Sequence, residues 1–132
     1  MSPSEPVVLS TKIPWLRLLL ALFFIVAGIL HFAFPHQYAS TMPPWLPWHG
    51  ELVALSGVCE IAGGLGVLSS QTRMAAGMGL ILLSLAVLPA NIQMLINAQQ
   101  AEKGVWILTL LWLRLPAQVM LIYWIWRSTR RP

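Results

Sequence analysis

Four apolar runs, residues 14–34, 52–69, 74–96 and 105–126, take up most of the chain. As helices rising 1.5 Å per residue they each cover roughly 27–35 Å, against about 30 Å of bilayer hydrocarbon. A backbone in lipid must satisfy its own polar groups, so the runs predict transmembrane helices. The expected fold is all-α, an integral membrane bundle of four transmembrane helices forming one domain over residues 1–132. With 58% hydrophobic and only 9% charged residues, the chain lacks the polar surface of a soluble domain, which carries about 25% charged residues. A soluble four-helix bundle is a poor alternative on that ground.

The net charge of +4 does not read as a nucleic-acid surface. Apart from Arg114, the basic residues flank the apolar runs and form no stripe along a polar face. A single cysteine, Cys59, excludes an intramolecular disulfide and any CxxC redox pair; beside Glu60 it reads as a small packing residue. The first run is longer than the apolar core of a secretory signal, about 7–15 residues, and its end lacks a small-x-small cleavage pattern, so it reads as retained. Residues 1–11, polar and containing proline and serine, are expected to be disordered.

Four spans put both termini on one side. That side holds Lys12, Arg17, Arg73, Arg127, Arg130 and Arg131, and the other only Lys103. The positive-inside rule therefore predicts cytoplasmic termini. Aromatic placement agrees: Trp15, Tyr123, Trp124 and Trp126 fall at the inner interface, and Trp45, Trp48 and Trp106 at the outer one. Trp112 is expected to pack within the bundle.

The 35–51 connection contains Pro35, Pro43, Pro44 and Pro47 interleaved with Trp45 and Trp48. So many prolines are expected to prevent a regular helix there. The apolar, stiff segment around Pro43, Pro44 and Trp45 is expected either to anchor in the outer interface or to fold over the bundle mouth as a lid.

Polar residues inside the runs are the second constraint. Counted inward from the outer ends, Glu60, Arg114, Asn91 and His31 lie roughly 15, 14, 9 and 6 Å deep. A charge at mid-membrane costs about 2.5–3.5 kcal/mol on the lenient insertion scale, so such groups face a partner or a cavity. Glu60 and Arg114, opposite in charge and similar in depth, are expected to form a buried ion pair. Ser56, Glu60 and Gly64 share a helical face, which Gly57 and Gly63 widen for close approach of a neighbour. Arg114 and Gln118 share another, with Pro116 between them; Pro89 sits two residues before Asn91, and both prolines predict kinks.

Two readings stand side by side. In one, Glu60 and Arg114 neutralise each other, Asn91 and His31 satisfy freed carbonyls, and the cluster sets helix register. In the other, the cluster forms a pocket beneath the proline loop for a polar head group, a quinone or a proton. Histidine or asparagine can bond a carbonyl oxygen, and a carboxylate can exchange a proton with a reduced ring. His36 and His49 are expected to be solvated. No ligand spacing supports a metal site, and there is no phosphate-binding glycine loop or hydrolytic triad.

The ordered set Gly28…His31-Phe32, Met42-Pro43-Pro44-Trp45-Leu46-Pro47, Ser56-Gly57-Val58-Cys59-Glu60-Ile61-Ala62-Gly63-Gly64, Pro89-Ala90-Asn91-Ile92 and Leu113-Arg114-Leu115-Pro116-Ala117-Gln118 resembles the DoxX-like family of small bacterial membrane proteins. The resemblance runs from residue 28 to 118. It implies a four-helix protein of the bacterial inner membrane in a redox-accessory setting, after a subunit of a quinol-linked respiratory complex. The positions carried over are His31, Pro43, Pro44, Glu60, Asn91, Arg114 and Gln118, and the family assigns them no catalytic role. Cys59 lies outside the motif.

The function expected from these observations is an accessory subunit of a quinone-linked or oxidative-stress redox system, without a catalytic motif of its own. Its partners would be the bilayer and other membrane or peripheral redox proteins, with oligomers allowed. The rivals are a small proton-coupled transporter, which a cation matched to Glu60 would disfavour, and an assembly factor without ligand.

Overall fold

The computed structural model describes residues 15–130. Within them the chain forms α1 (Trp15–Ala33), α2 (Pro35–Ser40), α3 (His49–Leu68), α4 (Arg73–Ala86), α5 (Leu88–Gln100) and α6 (Val105–Thr129). The expected disordered segment, residues 1–11, lies outside the described residues. Four helical stretches are long and apolar enough to cross a membrane: α1, α3, α4 with α5, and α6. By length and apolarity the helices are those of a multi-pass membrane protein.

Two local expectations are corrected. The proline-rich connection is not devoid of helix. Pro35 occupies the first turn of α2, where its missing N–H has no intrahelical partner to lose, and Tyr38 N donates to Phe34 O at 3.3 Å. The third span is not one kinked helix but two, divided at Val87, where Pro89 cannot supply the N–H that would carry the ladder through. By contrast α6 runs unbroken through Pro116.

Helix α1 lies along α3, α3 along α4, and both α4 and α5 pack on α6. Glycines set the first of these approaches. A β-carbon on Gly28 would come within 2.6 Å of Gly57 O, and one on Gly64 within 2.9 Å of Ala21 O. In a bilayer, apolar side chains gain nothing by leaving water, so such close backbone packing supplies the attraction between helices. Leu20 and Phe24 of α1, Val67 of α3, Leu80 of α4 and Ile125 of α6 form the core, all toward the end that carries the termini. There α1 is tied to α6 by Arg17 Nε donating to Ser128 O at 3.1 Å and Trp124 Nε1 donating to Leu16 O at 3.2 Å. Trp112, expected inside, is 55% exposed on the outer surface of α6. Cys59, expected in packing, is exposed on α3.

Helix α5 ends in a two-bond cap. Lys103 N donates to Ala98 O at 3.0 Å and Glu102 N to Gln99 O at 3.2 Å, with Glu102 left-handed at φ 51°. A β-carbon is strained in that conformation by about 1–2 kcal/mol. Glu102→Gly is therefore expected to raise stability by about 1 kcal/mol, read as a higher thermal midpoint in detergent; an unchanged midpoint would show the turn to be unstrained.

Candidate functional site

Toward the other end the bundle splays. Beyond Val87, α5 leaves α3 and keeps to α6. The gap is a cavity of about 1330 Å³ between α1, α2 and α3 on one wall and α4, α5 and α6 on the other. Most of its lining is apolar, including Phe24, Val87, Leu121 and Trp124. His31, Tyr38, Glu60, Asn91, Arg114 and Gln118 give it a polar region.

Glu60 does not meet Arg114. Its Oε2 lies 3.2 Å from His31 Nδ1, and this is the acid–base contact formed among the described residues. The close approach of α1 and α3 brings the two side chains together, since a β-carbon on Gly57 would sit 3.0 Å from His31 Cβ. Depth along the helix was matched, as the sequence implied, but rotation about the axis was not. Arg114 is exposed to the cavity and donates through Nη1 to Met94 Sδ of α5 at 3.7 Å. The expected face of Ser56, Glu60 and Gly64 is also divided: Gly57 and Gly64 pack on α1, while Ser56 lines the cavity.

One N–H cannot serve two acceptors in good geometry. His31 Nδ1 also lies 2.8 Å from Ala27 O, one turn back on its own helix. Glu60 Oε2 is left buried without a hydrogen bond. A buried acceptor without a donor is costly, and such atoms point to a proton or a ligand donor. His31 stacks on Tyr38, ring centroids 4.0 Å apart. Burial, and then the Glu60 carboxylate, raise the Tyr38 phenol above its usual range, with Arg114 opposing. Tyr38 therefore stays a neutral O–H donor at ordinary pH.

Asn91 and Gln118 form a separate unit. Asn91 Nδ2 donates to Gln118 Oε1 at 2.5 Å, and Gln118 Nε2 donates to Ser84 O. Ser84 lies in the last turn of α4, where the helix break interrupts the backbone ladder. The amide of α6 thus staples the broken third span to the fourth. Asn91 does not itself take a freed carbonyl; it orients the glutamine that does.

Pro43, Pro44 and Trp45, expected as a lid, do not cover the cavity. Pro43 is buried, and His49 Nε2 lies 3.1 Å from its carbonyl, so His49 is not simply solvated. Pro44 and Trp45 are exposed and line no part of the cavity; Gln37, Tyr38, Thr41 and Met42 do. Tyr38 is the residue that sequence reasoning missed. Its ring reaches His31 because the chain leaves helical geometry at Phe34, φ −129°, and restarts as α2 at Pro35, a turn that no residue spacing in the sequence signals.

A family model described as Domain of unknown function (DUF8561) matches residues 20–129. No curated protein and no solved structure matches the chain.

Proposed function

Because the chain belongs to this family of unknown function, its reading rests on the site, and we propose that it binds an amphipathic, lipid-soluble quinone as an accessory protein of a membrane redox system. The single observation that carries the proposal is the donorless, buried Oε2 of Glu60 beside a largely apolar cavity. Ligand sites of this kind are mostly apolar with a few placed polar groups, and the volume exceeds what one ring head needs, leaving room for part of a tail. Glu60 Oε2 accepts from a ligand hydroxyl, while the Tyr38 O–H and the Arg114 guanidinium donate to a ligand oxygen. His31 holds its ring between Tyr38 and Glu60 and positions the carboxylate. The resemblance to DoxX-like proteins supports the same setting, as it does a bacterial inner membrane with cytoplasmic termini and redox proteins as partners. The chain's own residues supply binding and a proton acceptor.

Purification in mild detergent followed by quinone extraction tests the reading, together with titration of a short-chain quinol into the stripped protein. Glu60→Gln keeps shape but replaces a carboxyl oxygen by an amide N–H group that cannot accept or exchange the proton, and is expected to weaken quinol binding about tenfold. Wild-type protein that retains no quinone and binds the quinol no better than the variant would overturn it.

One observation favours a second reading, the small proton-coupled transporter. With Arg114 turned to Met94, the matched cation that argued against proton loading at Glu60 is gone. Uptake into proteoliposomes driven by a pH gradient and lost in Glu60→Gln, without quinone in the preparation, would select it.

A further inference from the structure

At the end of the bundle that carries both termini, two guanidiniums converge where no described acid meets them. Arg73 opens α4 yet is only 5% exposed, and its Nε donates at 3.0 Å to Val67 O in the last turn of α3. Arg17, in the first turn of α1, spends its Nε on Ser128 O near the end of α6. Each side chain therefore caps a helix C-terminus with one nitrogen, and its terminal N–H groups meet no acceptor among the described residues. Both arginines lie at the end of α6, since a β-carbon on Gly77, one turn into α4 from Arg73, would overlap Thr129, the neighbour of Ser128. Helix α4 starts beside them with no acidic residue in its first turn and no side-chain cap, so its free N–H groups add to the positive potential. The acid–base contact formed among the described residues, His31–Glu60, lies in the other half of the molecule.

Like charges held together at the edge of an apolar bundle raise the energy of the fold unless an anion joins them. Guanidinium forks match the paired oxygens of a phosphate better than any other common anion except a carboxylate. The position supplies the source. The pair sits one turn beyond the core residues Leu20 and Val67, at the level of exposed Trp15 and Trp126, rings that favour the headgroup layer. We infer that Arg17 and Arg73 bind the phosphodiester of an anionic phospholipid, which clamps α1, α3, α4 and α6 at the terminal end. The inference rests on the membrane placement proposed above and not on the ligand of the cavity.

The test uses the full chain in nanodiscs of phosphatidylcholine alone or with phosphatidylglycerol, reading the melting midpoint and, by native mass spectrometry, the lipid retained. Phosphatidylglycerol is expected to raise the midpoint and to be retained in preference, because a ligand bound only by the folded state stabilises it. Arg17→Gln is expected to reduce retention about tenfold, the weight of one charge-assisted hydrogen bond to the phosphodiester, while Arg130→Gln, the same change of net charge, loses only the weaker diffuse attraction to the surface. Arg73→Lys keeps the charge and the α3 cap but loses the fork, and is expected to reduce retention as well. Equal retention of the two lipids by the wild-type protein, which needs no variant to fold, would overturn the proposal. So would equal loss in Arg17→Gln and Arg130→Gln, which marks diffuse attraction. Inorganic phosphate that reproduces the midpoint shift in phosphatidylcholine discs would overturn the lipid as the source. Retention that rises only on Glu5→Gln would replace the lipid by an internal pair.

Discussion

Gly57→Val is expected to separate α1 from α3, lower the thermal midpoint sharply and abolish ligand capture in the cavity. The β-carbon alone would meet Phe32 Cε2 at 2.8 Å, and Gly28 O and His31 Cβ at 3.0 Å. Valine adds two methyl groups beyond that point. The phenylalanine can swing aside, but a helix backbone cannot, so the helices must move apart. Overpacking of this kind costs about 1–3 kcal/mol. It also removes the close backbone contact that holds helices together in a bilayer. The functional loss follows from the same displacement, because His31 reaches Glu60 only across this seam. Gly79→Val is the control: a β-carbon there meets nothing within 4 Å, so the midpoint should hold. Equal midpoints for the two variants, measured in one detergent, would show that the α1–α3 seam is not tight.

What the sequence made legible was whatever depends on position along a helix. Apolar run length located all four spans, and counting residues from their ends put Glu60, Arg114, Asn91 and His31 around one cavity. What it could not show depends on rotation about the helix axis and on how far one helix leans from the next. Glu60 and Arg114 share a depth, yet the glycines of α3 turn the carboxylate toward α1, while Arg114 follows α5 to Met94. Nor does proline read the same way everywhere. Pro35 starts a helix, Pro89 divides one, and Pro116 leaves one unbroken. Whether the missing N–H matters is decided by where the orphaned carbonyl finds another donor. In the third span Pro89 deprives Leu85 O, and it is the neighbouring carbonyl, Ser84 O, that takes a donor from α6, 34 positions along the chain; no local pattern announces it. Tyr38 was hidden for the same reason, since its place opposite His31 needs a helix where prolines argue against one.

The amide staple yields the second large effect. Gln118→Leu keeps volume and helix propensity but leaves Ser84 O and Asn91 Nδ2 without their partner. At about 1–2 kcal/mol for each interhelical hydrogen bond in apolar surroundings, the variant should lose about 2–4 kcal/mol. The loss falls where α4 gives way to α5, so the third span should detach from α6 before the rest of the bundle opens. Asn91→Leu breaks one of the two bonds and leaves Gln118 still donating to Ser84 O, so it should cost less. Once Gln118 is leucine, Asn91 is an unpaired amide, and replacing it as well removes an orphaned group. The double variant should therefore be no less stable than Gln118→Leu alone, a coupling of the sign expected for contacting residues. Hydrogen exchange should report the order of opening, with α5 amides losing protection before those of α3. Additive losses in the two single variants, with α5 and α3 exchanging together, would mean that the helix break is held by something other than Gln118.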